Sequence, residues 1–146
     1  MTTVAEILKS KPTQEVFAVA PAASVLDALG LMAEKGVGAL LVMDGERVVG
    51  IVSERDYARK VALKARTPED TPVRDIMTGE VMYVRPNHTA DQCMALMTQN
   101  RLRHLPVMDD GKLIGLISIG DLVKNIISEQ EFIIQQLEHY IAGDRG

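Results

Sequence analysis

Apolar positions change period several times along the chain, and the same succession of periods occurs twice. Short extended runs, Val16 to Val19 and Val81 to Val84, are each closed by a proline that cannot extend a ladder. Ser24 with Asp27, and Thr89 with Gln92, have the spacing in which a hydroxyl caps the first helical turn and the third residue reaches back. Each pair opens an amphipathic helix, ending near Gly36 or Asn100, residue types that tolerate a left-handed terminus. Two apolar strands follow in each half, Ala39 to Met43 with Val48 to Val52 and Leu105 to Met108 with Leu113 to Ile117, joined by Asp-Gly-Glu or Asp-Asp-Gly turns. A second helix follows each hairpin, so each unit reads β-α-β-β-α.

Sliding the chain on itself fixes the register of this duplication. An offset of 65 places Val19 on Val84, Pro21 on Pro86 and Leu31-Met32 on Leu96-Met97. Without a gap it continues to superpose ALLVMD on HLPVMD, Gly50 on Gly115, Ser53 on Ser118 and Asp56 on Asp121. Val4 to Leu8 resembles Val73 to Met77 at an offset of 69, so the first lead-in loop is about four residues longer. The polar, proline-bearing segment Arg66 to Pro72 links the copies, and we divide the chain into residues 1–70 and 71–146.

A three-stranded sheet with apolar strands is too small to stand alone. The expected fold is therefore α+β: two tandem repeats packed sheet to sheet with pseudo-twofold symmetry, leaving two related clefts between them. Beyond the repeats, Ser128 to Ala142 reads as a further amphipathic helix, with Ser128 and Glu131 as its capping box. Ile133, Ile134, Leu137, Tyr140 and Ile141 form its apolar stripe, which packs on its own chain or in a homodimer.

Composition narrows the function classes. The 146 residues are 47% hydrophobic but only 3% aromatic, which calls for an aliphatic core. A formal net charge of -4 and the absence of a long Lys/Arg run argue against a nucleic-acid partner. Cys93, the single cysteine, cannot form an internal disulfide; it aligns with Ala28 on an apolar face and reads as a small buried hydrophobe. His88 and His139 read as surface residues, and the eight methionines mainly as core. No stretch has the roughly 18 apolar residues of a membrane span. The expectation is a soluble, cytoplasmic protein.

With Gly50-Ile51-Val52-Ser53-Glu54-Arg55-Asp56 and Gly115-Leu116-Ile117-Ser118-Ile119-Gly120-Asp121 in place, the chain resembles tandem CBS-domain proteins. SERDYARKVAL, DIMT, NRLRHLPV and SIGDLV bring it closest to small stand-alone pairs of bacteria and plant organelles. The resemblance implies a pair that dimerises into a flat disc and binds AMP, ATP, NAD or S-adenosylmethionine, with AMP placed first. It also implies a regulatory partner, since some plant relatives modulate thioredoxins.

The Ser-x-x-Asp segments sit where a strand ends and a helix begins, where unpaired N–H groups can receive phosphate. A carboxylate accepts from two vicinal hydroxyls, which makes Asp56 and Asp121 ribose anchors, with Ser53 and Ser118 on phosphate or ribose. The same spacing is a capping box that stabilises a helix start without any ligand, and the two roles coexist if ribose competes for the carboxylate. Arg55 is placed to pair with phosphate, whereas its counterpart Gly120 is not, so the two clefts differ. The resemblance assigns phosphate contact to Arg103 and His104 as well, and adenine recognition to the strands that hold Val16, Val19, Val81 and Val84. Arg101 is equally consistent with a solvated residue.

No nucleophile with a paired base, metal-ligand cluster or Walker-type loop is present. The sequence therefore reads as a nucleotide sensor rather than an enzyme. The alternative is an adaptor with vestigial clefts that recruits a partner such as a redox protein.

Overall fold

The computed structural model describes residues 2–11 and 16–141, with side chains described as far as His139. It is an α+β fold of two related halves. Helix α1 (Val4–Ser10) precedes the first unit, which comprises β1 (Ala18–Val19), α2 (Val25–Lys35), β2 (Ala39–Asp44), β3 (Arg47–Ser53) and α3 (Glu54–Lys60). Short 3-10 turns at Ala62–Lys64 and Val73–Asp75 lead to the second unit, α4 (Ala90–Asn100), β4 (His104–Asp109), β5 (Lys112–Ser118) and α5 (Ile119–Ile141).

The duplicated hairpins superpose residue for residue. Ala39 pairs with Ser53 and Asp44 with Arg47 in the first; His104 pairs with Ser118 and Asp109 with Lys112 in the second. Both carry an irregularity at the same place, between Val42 and Met43 and between Val107 and Met108. The tight turns use left-handed residues: Gly45 in the first hairpin, Asp110 and Gly111 in the second.

Three local expectations are corrected. Val81 to Val84 does not form a strand equivalent to β1; only Val84 bridges Val107. In the first half β1 runs parallel to β2, with Leu41 N–H donating to the Phe17 carbonyl at 3.1 Å. The residue in the place of Leu41 is Pro106, which has no N–H, and the ladder is one rung shorter. Second, α4 ends not in a left-handed Asn100 but in a left-handed Arg101, at φ 54° and ψ 42°. Third, α5 runs without a break from Ile119, so Ser128 lies mid-helix and caps nothing. With no glycine or proline from Asp121 to Ile141 to end the first turns, N–H groups near Ser128 already have helical acceptors. Tyr140 and Ile141 of the expected stripe lie outside the described side chains.

The core divides into two clusters, and the lead-in segments are exchanged between them. Val73 and Ile76, which precede the second unit, are buried with Val25, Leu40, Val42 and Val52 of the first. Val4 and Ile7 at the chain's start are buried with Met97, Leu105, Val107 and Ile117 of the second. Three pairs of equivalent backbone bonds fasten the exchange. Val4 N–H donates to His88 and Val73 N–H to Ala23, both at 2.8 Å; Ala5 donates to Pro86 and Arg74 to Pro21, both at 3.0 Å. Ala90 donates to Thr2 at 2.9 Å, and Val25 to Thr71 at 2.8 Å.

The crossing segments explain Gly50 and Gly115. A Cβ on Gly50 would lie 2.5 Å from the Met77 sulfur and 2.9 Å from the Thr78 carbonyl oxygen. A Cβ on Gly115 would lie 2.8 Å from Leu8, the residue that occupies Met77's place in the other lead-in. Each glycine is the gap through which the opposite lead-in reaches a strand.

Candidate functional site

Strand β3 delivers Ser53 to the first turn of α3 in an extended conformation, φ -134° and ψ 166°. The capping box is fully formed. Ser53 N–H donates to Asp56 Oδ2 at 2.9 Å, the Ser53 hydroxyl donates to the same oxygen at 3.1 Å, and Asp56 N–H donates to Ser53 Oγ at 3.3 Å. The other carboxylate oxygen, Oδ1, faces Lys60 at 3.5 Å, one turn further along α3. Lys60 also donates to the Ile76 carbonyl at 2.8 Å. Both sequence-level readings of Asp56 are thus compatible with its geometry: one oxygen caps, and the other holds an exchangeable ammonium.

Of the N–H groups at this helix start that were expected to receive phosphate, most are already engaged and that of Arg55 is left. Ser53 and Asp56 N–H serve the cap, and Glu54 N–H donates to the Gly38 carbonyl at 3.1 Å. The second helix start repeats this arrangement, with Ile119 N–H donating to the Arg103 carbonyl at 2.8 Å. What remains for an anion in the cavity is the Arg55 N–H together with the lining side chains.

Those side chains surround a cavity of about 850 Å³ between the halves. Of the expected residues, it brings together Ser53, Arg55, Asp56, Val81, Arg103 and His104. Arg59, Lys60, Thr78, Glu80 and Thr98, which carried no sequence signal for the cavity, join them, as does Arg101, which the sequence left equally consistent with a solvated residue. Arg59 was recoverable, because it lies four residues after Arg55 on the same helical face. A cavity of this size is in the range that holds a nucleotide-sized ligand. Val84 does not reach it, being fully buried in the second core, and Val16 and Val19 lie away from it as well.

His104 lines the cavity, where its burial favours the neutral imidazole. Burial pushes its imidazole below the ordinary value, against the pull of Asp121, and the charges of Lys11 and Arg103 act in the same direction as burial. It can therefore donate or accept a hydrogen bond, while the guanidinium groups supply the positive charge.

Ser118 and Asp121 form the equivalent constellation but do not line this cavity. Ser118 N–H donates to Asp121 Oδ2 at 2.8 Å and Asp121 N–H to Ser118 Oγ at 3.1 Å. Lys11 reaches the same Oδ2 at 3.0 Å and donates to the Leu116 carbonyl at 2.8 Å. Burial pushes the Asp121 carboxyl up, but the hydrogen bonds from Ser118 and Lys11 and the Lys11 charge outweigh it and hold the group below the usual range. In the first half, Ile51 exchanges backbone bonds with Thr78 at the corresponding strand position. Lys11 was not foreseen, because no local sequence pattern links it to Asp121.

Among the described residues no group of His, Cys, Asp and Glu is arranged to hold a metal ion, and no helix is long and apolar enough to cross a membrane. Cys93 is buried, and burial raises its thiol pKa.

Two related units, each a helix, a hairpin and a second helix with the lead-in of the other docked on it, enclose a shared cleft and define a tandem repeat pair. Residues 4–63 and 73–128 each match the CBS domain, and the chain belongs to the CBS-domain family. The CBS domain-containing protein CBSX3, mitochondrial, of Arabidopsis thaliana is 41% identical over 82% of this chain. The chain spans 61% of that relative's length. A solved protein with CBS domains from Burkholderia ambifaria MC40-6 is 60% identical, with a TM-score of 0.86 over 88% of this chain and 96% of that one. The CBS domain pair of protein MJ0100, solved with 5'-methylthioadenosine and S-adenosyl-L-methionine, shares the fold at 22% identity, with a TM-score of 0.76 over 88% of this chain and 98% of that one. CBS domain pairs are regulatory modules.

Proposed function

We propose that the chain is an adenine-nucleotide sensor whose ligand occupies the cavity between the halves, with AMP first among AMP, ATP, NAD and S-adenosylmethionine. The observation that carries this reading is the convergence on one cavity of the Ser53–Asp56 constellation and the Arg103-His104 loop, from opposite repeats. In this reading ribose hydroxyls displace Lys60 from Asp56 Oδ1, Ser53 supports the ribose-phosphate, Arg55, Arg103 and His104 hold phosphate, and Val81 borders the adenine. A ligand that bridges both halves binds best to one arrangement of them. A partner protein reads that arrangement, and the shift can be no larger than the ligand's differential affinity for the two states.

Calorimetric titration with the four compounds tests the proposal. Asp56→Ala should weaken nucleotide binding by roughly 10- to 100-fold, the loss of a hydrogen bond to a charged group. Absence of binding by all four compounds refutes it.

The adaptor reading is favoured by a different feature, the exposed apolar residues of α5. Ile126, Ile127, Phe132, Ile133, Ile134 and Leu137 are each at least 40% exposed. This surface supports a homodimer, the association we propose, or recruitment of another protein. Sedimentation of Ile127→Glu/Ile134→Glu should then report a smaller species than the parent; an unchanged mass excludes α5 from self-association.

A further inference from the structure

We propose that Lys11 is a built-in competitor for the second carboxylate, so that a ligand with a vicinal diol engages Asp56 readily and Asp121 only by displacing the lysine. The inference rests on the reading of the two carboxylates as ribose anchors. Both cap their helices alike, but the remaining donor on the capping oxygen differs. Asp56 Oδ2 accepts from the Ser53 N–H at 2.9 Å and from the Ser53 hydroxyl at 3.1 Å. A hydroxyl rotates to suit its surroundings and turns aside at little cost. Asp121 Oδ2 accepts from the Ser118 N–H at 2.8 Å and from the Lys11 ammonium at 3.0 Å. A diol that places one hydroxyl on each carboxylate oxygen therefore moves a rotor from Oδ2 in the first half, and must break an ion pair at Oδ2 in the second.

The cations beside the two carboxylates are not equivalent. Lys60 belongs to the same helix as Asp56, is 46% exposed, and stands 3.5 Å from the other oxygen, Oδ1, beyond an ordinary N–H···O hydrogen bond. Such a contact yields easily. The counterpart of Lys60 in α5 is Asn125, which carries no charge. The cation at Asp121 comes instead from the lead-in that crosses from the start of the chain. At the offset that superposes the two lead-ins, Lys11 falls on Glu80, so the charge at this place is reversed between the halves. Lys11 is also pinned from behind. The Leu116 carbonyl accepts from its ammonium at 2.8 Å, where the equivalent Ile51 carbonyl accepts from the Thr78 backbone N–H at 2.9 Å. Lys11 and Asp121 are 24% and 19% exposed, so water competes less for this pair than for Lys60 and its partner. The ammonium thus takes the donor position that a ribose hydroxyl needs, and two constellations that match in sequence differ in availability.

The test is calorimetric titration with adenosine, which carries the diol without a phosphate, so that removing the Lys11 charge forfeits no phosphate contact. Deoxyadenosine, which lacks one of the two hydroxyls, is the control. Asp56→Ala silences the first anchor and leaves Asp121 as the site observed. In that background Lys11→Met should bind adenosine roughly 5-fold or more tightly than the chain that keeps Lys11, the release of a partly exposed ion pair. Deoxyadenosine binding should not change, Lys11→Arg should show no gain, and adding Asp121→Ala should abolish the gain. Lys11→Gln, which keeps a neutral donor for the Leu116 carbonyl, carries the same expectation as Lys11→Met should the latter fail to fold. Unchanged adenosine affinity overturns the proposal, and weakened affinity does so by marking Lys11 as a ligand contact. If AMP fails to bind the parent but Lys11→Met gains a diol site that Asp121→Ala removes, Lys11 stands and the reading of the first cavity falls. If no variant binds adenosine, the proposal is overturned, whether or not AMP occupies the first cavity.

Discussion

Lys11→Met isolates the contact that holds the second Ser-x-x-Asp constellation. The lysine places one ammonium between Asp121 Oδ2 at 3.0 Å and the Leu116 carbonyl at 2.8 Å, with side-chain exposures of 24% for Lys11 and 19% for Asp121. Methionine keeps the apolar stem and removes both bonds. A fully buried pair broken on one side would cost about 3 to 5 kcal/mol, but solvent reaches both partners and Asp121 keeps its bonds to Ser118, so about 1 to 2 kcal/mol is expected. For a chain of this size that lowers the melting temperature by roughly 4 to 8 °C at pH 7. The sign with pH follows from the depressed Asp121 carboxyl. Its stabilising contribution is complete above the unfolded carboxyl value of about 3.9 and is lost as pH falls through the lower folded value, so parent and variant should converge in strong acid. Differential scanning calorimetry of Lys11→Met, Asp121→Asn and the double variant provides the measurement, with a coupling of about 1 kcal/mol expected between the two sites. A Lys11→Met melting temperature within 1 °C of the parent at neutral pH, on the scale set by roughly 4 °C per kcal/mol, would refute the reasoning.

Gly50→Ala should cost more than Gly115→Ala, because the new methyl meets the Thr78 backbone carbonyl in the first case and only the movable end of Leu8 in the second. About 2 to 3 kcal/mol against about 1 is expected by denaturant unfolding, and equal costs would contradict the packing account. Because burial depresses His104, the unfolded chain takes up a proton first as pH falls below about 6.5. Stability should therefore decline from pH 7.5 towards 5.5, with a shallower slope in His104→Asn; identical slopes would remove His104 from the account. Asp121→Ala should lose about 1 kcal/mol through the cap alone, in addition to the Lys11 contact, as read by thermal unfolding.

Most of the architecture was legible because strand and helix periods are local properties and the duplication supplied each pattern twice. The offset that superposed Ser53 on Ser118 also marked the two hairpins as equivalent, and in the structure both serines pair with the first residue of the preceding strand. What escaped the sequence depends on contacts between distant segments. The similarity of Val4–Leu8 to Val73–Met77 was visible, but not that each docks on the other unit, where Leu8 and Met77 fill the spaces over Gly115 and Gly50. Pro106 was read as part of a strand, correctly, while its effect on the neighbouring Val81–Val84 run required the partner geometry. At the site, Ser53, Arg55, Asp56, Arg103 and His104 line one cavity from opposite halves. The valines were harder to place, because a valine facing a ligand and one facing the core look alike in sequence; Val84 belongs to the core.

The crossing of the two lead-ins also bears on what counts as a folding unit in this chain. A fragment cut at the linker keeps its own lead-in but loses the surface on which that lead-in docks, and exposes the seat left by the other. Isolated residues 1–70 would be left with one unoccupied seat and one unattached arm, a complementary pair best satisfied by a second identical fragment. The halves are thus clasped reciprocally, and a break in the peptide between them would not be expected to release either one.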